Sequence, residues 1–351
     1  MRHDPVGTAR PARTSQCLRG RLLASAAAGL AVVAAAGCSS ATTTGGAVSA
    51  TITVAAVQGV DTAPLYLAQK NGDFAAVGLS HVVIKDYPTG SAALQAVRYG
   101  KADIAASDYG NIFYVQSLGA DLRVITDGYD AGPGVLEIMA LPGGISSPAQ
   151  LLNTTIGVPN DQLVPNSGHG GDRPVSLETA SAGQDLQNLL GNAAQSVNWL
   201  PMSQQQEITA LEDHRLPAIL VTEPYISEAE TVLGATEVMD AYSGSTAGLP
   251  LTGYVATNTW VDGNKAAVAD FQAAIATAKT QAAMTGQLFR VLPMTTGMSL
   301  EGFDMSTIGT YPSTTSVIGL QRVANLLTNF AGLISQNQAP KVLAMILKPG
   351  S

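Results

Sequence analysis

The sequence predicts an α/β protein of two lobes, each a mixed, mostly parallel sheet flanked by helices. From residue 51 onwards, short β-branched or apolar runs alternate with helix-like stretches, and this alternation is typical of βαβ units. The alternation stops at Pro142-Gly143-Gly144 and then starts again. The chain has 351 residues, and single hydrophobic cores rarely grow beyond about 250–300 residues. Two lobes are therefore expected.

The first lobe is predicted from residues 51–141 together with 251–351. Its strands are expected at 52–57, 81–85, 103–106, 122–126 and 254–257, and its helices at 63–76, 91–99, 112–118, 264–284, 315–334 and 341–347. Residues 135–141 form a further apolar stretch, which ends at the proline–glycine break. The chain is thus expected to leave this lobe once and to return with a mostly helical C-terminal part.

The second lobe is predicted from residues 142–250. Its strands are expected at 155–158, 197–200, 218–221 and 237–239, and its helices at 180–190, 204–211 and 224–233. Ligands of such sheets bind beyond the carboxyl ends of the strands, and clefts between lobes are common pockets. The sequence therefore predicts a site between the two lobes.

Residues 1–37 have the pattern of a lipoprotein signal peptide. An arginine-rich segment to residue 21 is followed by a short apolar run, 22–36, as in exported proteins. The run ends at Ala35-Ala36-Gly37-Cys38, which resembles a bacterial lipobox with Ala35 where Leu is usual. Cys38 is expected to carry lipid, and residues 38–50 to form a flexible tether. The alternative is an ordinary signal peptide that leaves Cys38 without a role.

The charge of the chain argues against nucleic-acid binding. The chain has 18 basic and 26 acidic residues, a net charge of −8. Five arginines and one aspartate precede residue 22, so the rest has 13 basic and 25 acidic residues, net −12. Phosphate backbones repel such a body.

Several segments of the chain have the motifs of a known family. They are Ala63-Pro64-Leu65-Tyr66-Leu67-Ala68-Gln69-Lys70-Asn71-Gly72-Asp73-Phe74 with Gly78-Leu79, Gly90-Ser91-Ala92-Ala93-Leu94-Gln95-Ala96-Val97, Gly100-Lys101-Ala102-Asp103-Ile104-Ala105, residues 204–211, Pro217-Ala218-Ile219-Leu220-Val221-Thr222-Glu223-Pro224-Tyr225, and residues 318–334. Together these segments resemble the nitrate/sulfonate/taurine and thiamine-precursor binding proteins of ABC importers. Each motif is short, and their order and spacing carry the resemblance. This sequence departs from the family in the glycine-rich stretch 168–174 and at Pro217.

The resemblance implies a type II periplasmic-binding-protein fold and a role in import rather than catalysis. A small-molecule solute would be caught by hinge closure and passed to ABC permease and ATPase subunits, with no cofactor and no metal. The protein would be a monomer outside the cell membrane, on the periplasmic or cell-wall side, attached through its lipid. Two alternatives share the fold: an enzyme related to thiamine-pyrimidine synthesis and a sensor lipoprotein.

The resemblance places the ligand against the loops 58–62, 87–91, 107–109, 160–166 and 223–225. The residues expected to contact it are Gln58, Asp61, Thr62, Thr89, Gly90, Ser91, Ser107, Asp108, Tyr109, Glu223 and Tyr225. Several of them precede or begin helices, so a capping role is the alternative for five of them: Asp61 or Thr62, Ser91, Asp108 and Glu223. Glu223 and Tyr225 would offer an acceptor and an aromatic face at a strand end.

The polar residues of these loops favour a nitrogen-containing organic solute, while the family also admits a sulfonate-type one. Carboxylates and tyrosines suit an amine, a zwitterion or a nitrogen heterocycle, whereas tight binders of sulfonate or phosphate often use arginine. A metalloenzyme or serine hydrolase is disfavoured, because the sequence has no His-Glu-x-x-His, paired-cysteine or Gly-x-Ser-x-Gly pattern. His169 and Asp172 alone are too few ligands for a zinc site.

Overall fold

The computed structural model describes residues 51–159, 176–297, 299 and 308–347. The signal peptide, Cys38, the tether and the loops 160–166 and 168–174 lie outside these residues, so their predicted roles stay predictions. Within the described part, no helix is both long enough and apolar enough to pass through a bilayer.

The first sheet has five strands in the order β2-β1-β3-β10-β4. They are β1 Ile52–Ala56, β2 Val82–Asp86, β3 Ile104–Asp108, β4 Leu122–Asp130 and β10 Pro250–Thr257. β1 is parallel to β2 and β3, and β10 lies antiparallel between β3 and β4. Four of the five strands therefore run in one direction.

The second sheet repeats this plan with the order β7-β6-β8-β5-β9. Its strands are β5 Leu136–Ala140, β6 Thr155–Pro159, β7 Asn198–Met202, β8 Ala218–Thr222 and β9 Thr236–Asp240. Here β5 is the antiparallel strand, between β8 and β9. The predicted α/β class with two mixed, mostly parallel sheets is confirmed.

The lobe boundary expected between residues 141 and 142 lies a few residues too late. β5 falls in the predicted first lobe, yet both of its pairing partners belong to the second sheet. The chain crosses between the sheets before β5, in residues 131–135. An apolar strand has the same pattern whichever sheet receives it, so its partner is decided by tertiary pairing rather than by its own sequence.

Helices cover both faces of the first sheet. They are α1 Ala63–Asn71, α2 Asp73–Ala76, α3 Gly90–Arg98, α4 Tyr109–Ser117, α8 Asn258–Gly263, α9 Lys265–Ala282, α10 Thr285–Leu288, α11 Leu292–Thr296, α12 Val317–Asn325 and α13 Val342–Met345. Alternate strand residues face opposite sides, and this explains the layering. Tyr254 packs on Phe271 of α9, whereas its neighbour Val255 is buried in the core that includes α3, α4 and α12.

The second sheet has helices α5 Leu177–Leu190, α6 Gln204–Glu212 and α7 Tyr225–Leu233. α6 and α7 bury apolar residues against Met139, Ile219 and Val221, while α5 covers the opposite face. α6 begins at a capping box made by Ser203 and Gln206, a pattern that satisfies two backbone amides at a helix start.

The C-terminal helix differs from the expected single helix over 315–334. α12 ends at Asn325 and widens into a π turn, Leu326–Phe330, and Gly332 then takes a left-handed conformation (φ +65°). The π turn packs against α5 of the second sheet, where a Cβ on Gly183 would lie 3.3 Å from the Phe330 ring. This segment therefore contacts both lobes rather than bracing the first lobe alone.

Candidate functional site

A cavity of about 390 Å³ lies between the two sheets. Its lining comes from both sides: the first-sheet segments 57–62, 88–90, 106–108, 129 and 251–252, and the second-sheet segments 159, 178, 204, 222–225 and 242. Most of these positions follow the carboxyl end of a strand. This is where ligands bind in open α/β sheets.

The loop after β1 brings Asp61 into the cavity. Thr252, on the crossing strand β10, donates a 2.9 Å hydrogen bond to the Asp61 carboxylate. Burial raises the pKa of Asp61, and the Thr252 hydrogen bond opposes that rise. Thr62 holds the loop closed, because its hydroxyl donates to the Val57 carbonyl at 2.6 Å. Gln58 also lines the cavity, and its amide donates to Asp86 at 2.9 Å.

The starts of α3 and α4 form the next part of the wall. Thr89 caps α3 by accepting from the Ala92 amide at 3.1 Å, and Asp108 caps α4 by accepting from the Asn111 amide at 2.7 Å. Both side chains also line the cavity, so for Asp108 capping and exposure to the cavity coexist. Burial raises the pKa of Asp108. Ser107 lines the same wall and is buried.

Gly90 allows this wall to pack closely. A Cβ at Gly90 would lie 2.5 Å from Ser107 Oγ and 2.9 Å from an Asp108 carboxylate oxygen. Only glycine leaves room for both polar groups beside the helix start.

The opposite wall comes from the end of β8. Glu223 accepts from the Ser227 hydroxyl at 3.0 Å and from the Ser227 amide at 3.2 Å, and burial raises the pKa of its carboxyl. Tyr225, the first residue of α7, lines the cavity and is half-buried. Gln204 accepts from the Thr222 amide at 2.9 Å, which fixes the start of α6 at the same wall.

Two cavity tyrosines escape prediction from the sequence. Tyr129 lies near the end of β4, which is four residues longer than predicted, and its hydroxyl accepts from the Gly309 amide at 2.6 Å. Its ring lies 5.3 Å from that of Tyr311. Tyr242 follows β9 and is buried. Tyr129 and Tyr242 could have been found from the sequence, because each is a tyrosine close after the end of a predicted strand, as Tyr225 is.

Two predicted contact residues do not line the cavity. Tyr109 is fully buried, and its hydroxyl donates to Asp127 beneath the site. As the first residue of α4 it turns away from Asp108 towards the core, so the expectation for Tyr109 was wrong. Ser91, the second residue of α3, is also absent from the lining. The other nine predicted residues all line the cavity, and their contact with a ligand stays a prediction.

The charged residues that line the cavity in the described part of the chain are all acids. They are Asp61, Asp108, Glu178 and Glu223. Each is half-buried, and no lysine, arginine or histidine of the described residues joins them. The described residues also contain no group of three or more His, Cys, Asp or Glu side chains arranged to hold a metal ion.

Two α/β sheets, each with one antiparallel strand, and a cavity between them define the class of type II periplasmic-binding-protein folds. Comparisons with known proteins agree. The family model described as NMT1/THI5 like matches residues 60–165, a stretch that includes the α1, α3 and β3 motifs of the predicted resemblance. That resemblance is thereby confirmed over this part of the chain. No curated protein sequence matches the chain significantly.

Solved structures with the same fold cover most of the chain at low identity. The ligand binding component of an ABC-type import system from Staphylococcus aureus, with zinc bound, has a TM-score of 0.69 at 14% identity, over 85% of this chain and 97% of that one. The periplasmic aliphatic sulphonate binding protein SsuA from Escherichia coli has a TM-score of 0.62 at 17% identity, over 84% and 95%. The periplasmic nitrate-binding protein NrtA from Synechocystis PCC 6803 has a TM-score of 0.60 at 13% identity, over 84% and 86%.

Proposed function

We propose that the protein is the extracytoplasmic solute-binding component of an ABC importer. The cavity carries this proposal, because its walls come from both sheets and a solute held there contacts both lobes at once. Among the proteins of similar fold, the one from Staphylococcus aureus is described as the ligand binding component of an ABC-type import system, and the other two as periplasmic binding proteins for aliphatic sulphonate and for nitrate. The cavity volume of about 390 Å³ suits a small organic molecule, since pockets for drug-sized ligands span roughly 300–1,000 Å³.

The proposed mechanism is hinge closure. The chain crosses between the sheets at 131–135 and 241–249. A 2.8 Å hydrogen bond from the Ala131 amide to the Leu249 carbonyl joins the two crossings, and the Ala241 amide donates to the Leu136 carbonyl at the start of β5, also at 2.8 Å. Hinges of this kind absorb backbone rotation in a few residues. A solute that contacts both walls favours the closed form by its extra affinity for that form, and the closed form would then deliver it to a permease.

The solute is proposed to be a small nitrogen-containing organic molecule. Carboxylates and tyrosine hydroxyls accept hydrogen bonds from N–H groups, and tyrosine faces stack on flat heterocycles. A sulfonate-type solute, the other class expected from the sequence, would need donors that the described lining supplies only from amides and hydroxyls.

We also propose export and lipid attachment at Cys38, on the basis of the sequence pattern alone. Full-length protein and its Cys38→Ser variant would be produced in a bacterium and partitioned into detergent. Wild-type protein should enter the detergent phase and the variant should remain in the aqueous phase. Equal partitioning of the two would contradict lipid attachment at this cysteine.

The import role is tested by a thermal-shift screen of the purified protein against amines, pyrimidines, thiamine precursors, taurine, alkylsulfonates and nitrate. A ligand at 100 times its Kd stabilises the folded state by about 2.7 kcal/mol, which raises the Tm measurably. The double variant Glu223→Ala/Tyr225→Ala should weaken binding of any hit more than tenfold and leave the apo Tm nearly unchanged. Glu212→Ala, an exposed acid at the end of α6, is the control. Unaltered affinity in the double variant would show that the solute does not bind in this cavity.

A further inference from the structure

We propose that the solute is an organic cation, bound between carboxylates contributed by both lobes. This inference rests on the proposed function, since it assigns a charge to the solute of the same cavity. The inference is based on two observations: the charged residues that line the cavity in the described part of the chain are all acids, and these acids are divided between its two walls.

Each lobe contributes two of the four acids. Asp61 and Asp108 belong to the first wall, and Glu178 and Glu223 belong to the second. The acids of the first wall are close enough to interact, because the charge of Asp108 adds to burial in raising the pKa of Asp61. Like charges brought together at low dielectric repel one another. Closing the cavity without a cation would bring the two acidic walls together, whereas a cation between them relieves the repulsion.

The two buried tyrosines lie within the field of acids from both walls. Burial and the charges of Asp61 and Glu223 raise the pKa of Tyr129. Burial also raises the pKa of Tyr242, with Glu178 and Asp108 adding to the rise. Each ring is thus close to one acid of each lobe. Both hydroxyls stay protonated, so the rings are neutral, and a neutral ring attracts a cation to its face.

An anion has no comparable partner in the described lining. Sites for sulfonate or nitrate need a concentration of donors or positive charge, and four carboxylates oppose an anion. Residues 160–175, which lie outside the described part, contain Asp161, Asp172 and one arginine, Arg173. The formal charge of this segment is −1 with histidine neutral. Adding it to the charge of the four lining acids therefore leaves the sum negative.

The test compares probes that differ in charge. The purified protein is titrated calorimetrically with benzylamine, choline, putrescine and agmatine. The uncharged counterparts are benzyl alcohol, 3,3-dimethylbutanol and 1,4-butanediol, and the anions are ethanesulfonate and nitrate. At least one cation should bind, and its uncharged counterpart should bind at least tenfold more weakly. Raising the salt concentration should weaken the cation's binding, because exposed parts of the acidic field are screened.

Variants that each remove one charge test whether the cation binds at the acids of the cavity. Asp61→Asn and Glu223→Gln keep the shape of each side chain, and each should weaken cation binding at least tenfold without lowering the apo Tm. Glu212→Gln, at an exposed acid at the end of α6 outside the cavity, should bind like wild type.

The outcomes separate this inference from the proposed function. Binding of an uncharged heterocycle or of ethanesulfonate, at an affinity that Asp61→Asn and Glu223→Gln leave equal or increase, overturns the cation and leaves the import role standing. Binding of none of the compounds in this panel or in the wider thermal-shift library counts against both. Cation binding that is lost in Glu212→Gln as well would place the cation outside the cavity and would also overturn the inference.

Discussion

The Thr252 hydroxyl donates a 2.9 Å hydrogen bond to Asp61, a residue 191 positions earlier in the chain. The bond joins β10, the strand by which the chain returns to the first sheet, to the loop that follows β1. Thr252 is buried, so the bond lies out of water. It opposes the effect of burial on the pKa of Asp61 and so helps to keep this cavity acid ionised.

Thr252→Val should therefore weaken solute binding. Valine keeps the shape but removes the donor, and the pKa of Asp61 should rise further because burial is then opposed by one hydrogen bond fewer. A hydrogen bond to a charged group contributes about 1.5–3 kcal/mol, so its loss favours the protonated form of Asp61, and calorimetry should show weaker binding of a cationic solute by the variant. The loss should grow as the pH falls towards the pKa of Asp61 in the variant and should shrink below the wild-type pKa, where Asp61 is protonated in both proteins. Thr280→Val, at an exposed site on α9, should have no effect, and an equal loss there would contradict this role of the bond.

Gly90→Ala should disturb the first wall of the cavity. The added methyl group would meet Ser107 and Asp108 at distances shorter than van der Waals contact, and overpacking of this kind costs about 1–3 kcal/mol. We expect a lower Tm together with a severalfold loss of solute affinity. Gly263→Ala is the matched control, because a Cβ there would have no atom within 4 Å. Wild-type affinity in Gly90→Ala would show that the wall can move aside without cost.

The sequence predicted most strands and helices because their apolar residues recur with the periods of 2 and 3.6 that buried faces impose. The end of β4 and the sheet to which β5 belongs do not follow from these periods. β4 continues beyond residue 126 through Asp127, Gly128 and Tyr129, which favour a loop by composition, because β10 pairs alongside them. β5 joins the second sheet because β8 and β9 provide its partners. In both cases a distant strand decides the outcome.

The lining of the cavity was predicted where a polar residue lies between the end of a strand and the start of a helix. Thr89, Asp108 and Glu223 could be identified as lining residues because polar residues after strands lie at the sheet edge that bears ligands. Tyr109 could not be separated from Asp108 by this rule. One residue into a helix the side chain turns by about 100°, and here that turn moves it from the cavity to the core. Tyr129 was missed together with the end of β4.

Tyr109→Phe tests the corrected role of this tyrosine. Its hydroxyl donates to Asp127, whose other oxygen accepts from the Ser316 amide at 3.0 Å. Removing the hydroxyl leaves one oxygen of this largely buried carboxylate without that donor, which costs about 1–3 kcal/mol. The Tm should fall by several degrees, while solute affinity should stay within a factor of two. Tyr225→Ala should show the opposite pattern. A loss of affinity in Tyr109→Phe with an unchanged Tm would restore Tyr109 to the site.

Glu207→Gln should stabilise the protein at neutral and alkaline pH. Glu207 lies on α6 with its side chain fully buried, packed near Gly157, and neither carboxyl oxygen has a partner at hydrogen-bond geometry. Burial raises the pKa of Glu207 to about 9, from an ordinary value of 4.5, and the nearby Leu220 backbone opposes that rise only in part. The folded protein therefore keeps this proton up to about pH 9, whereas the unfolded chain releases it above about pH 4.5.

Because the unfolded state binds fewer protons throughout that window, the free energy of unfolding falls as pH rises, by at most about 1.4 kcal/mol per pH unit from this group. Glutamine has no proton that titrates in this range, so the free energy of unfolding of the variant does not fall with pH in this way. The Tm of Glu207→Gln should match that of wild type near pH 4, where Glu207 is protonated in both the folded and the unfolded state, and exceed it increasingly up to pH 8. Glu212→Gln, an exposed acid on the same helix, should show no pH-dependent difference. A Glu207→Gln variant less stable than wild type at pH 8 would mean that the buried carboxylate is ionised and has partners in solution.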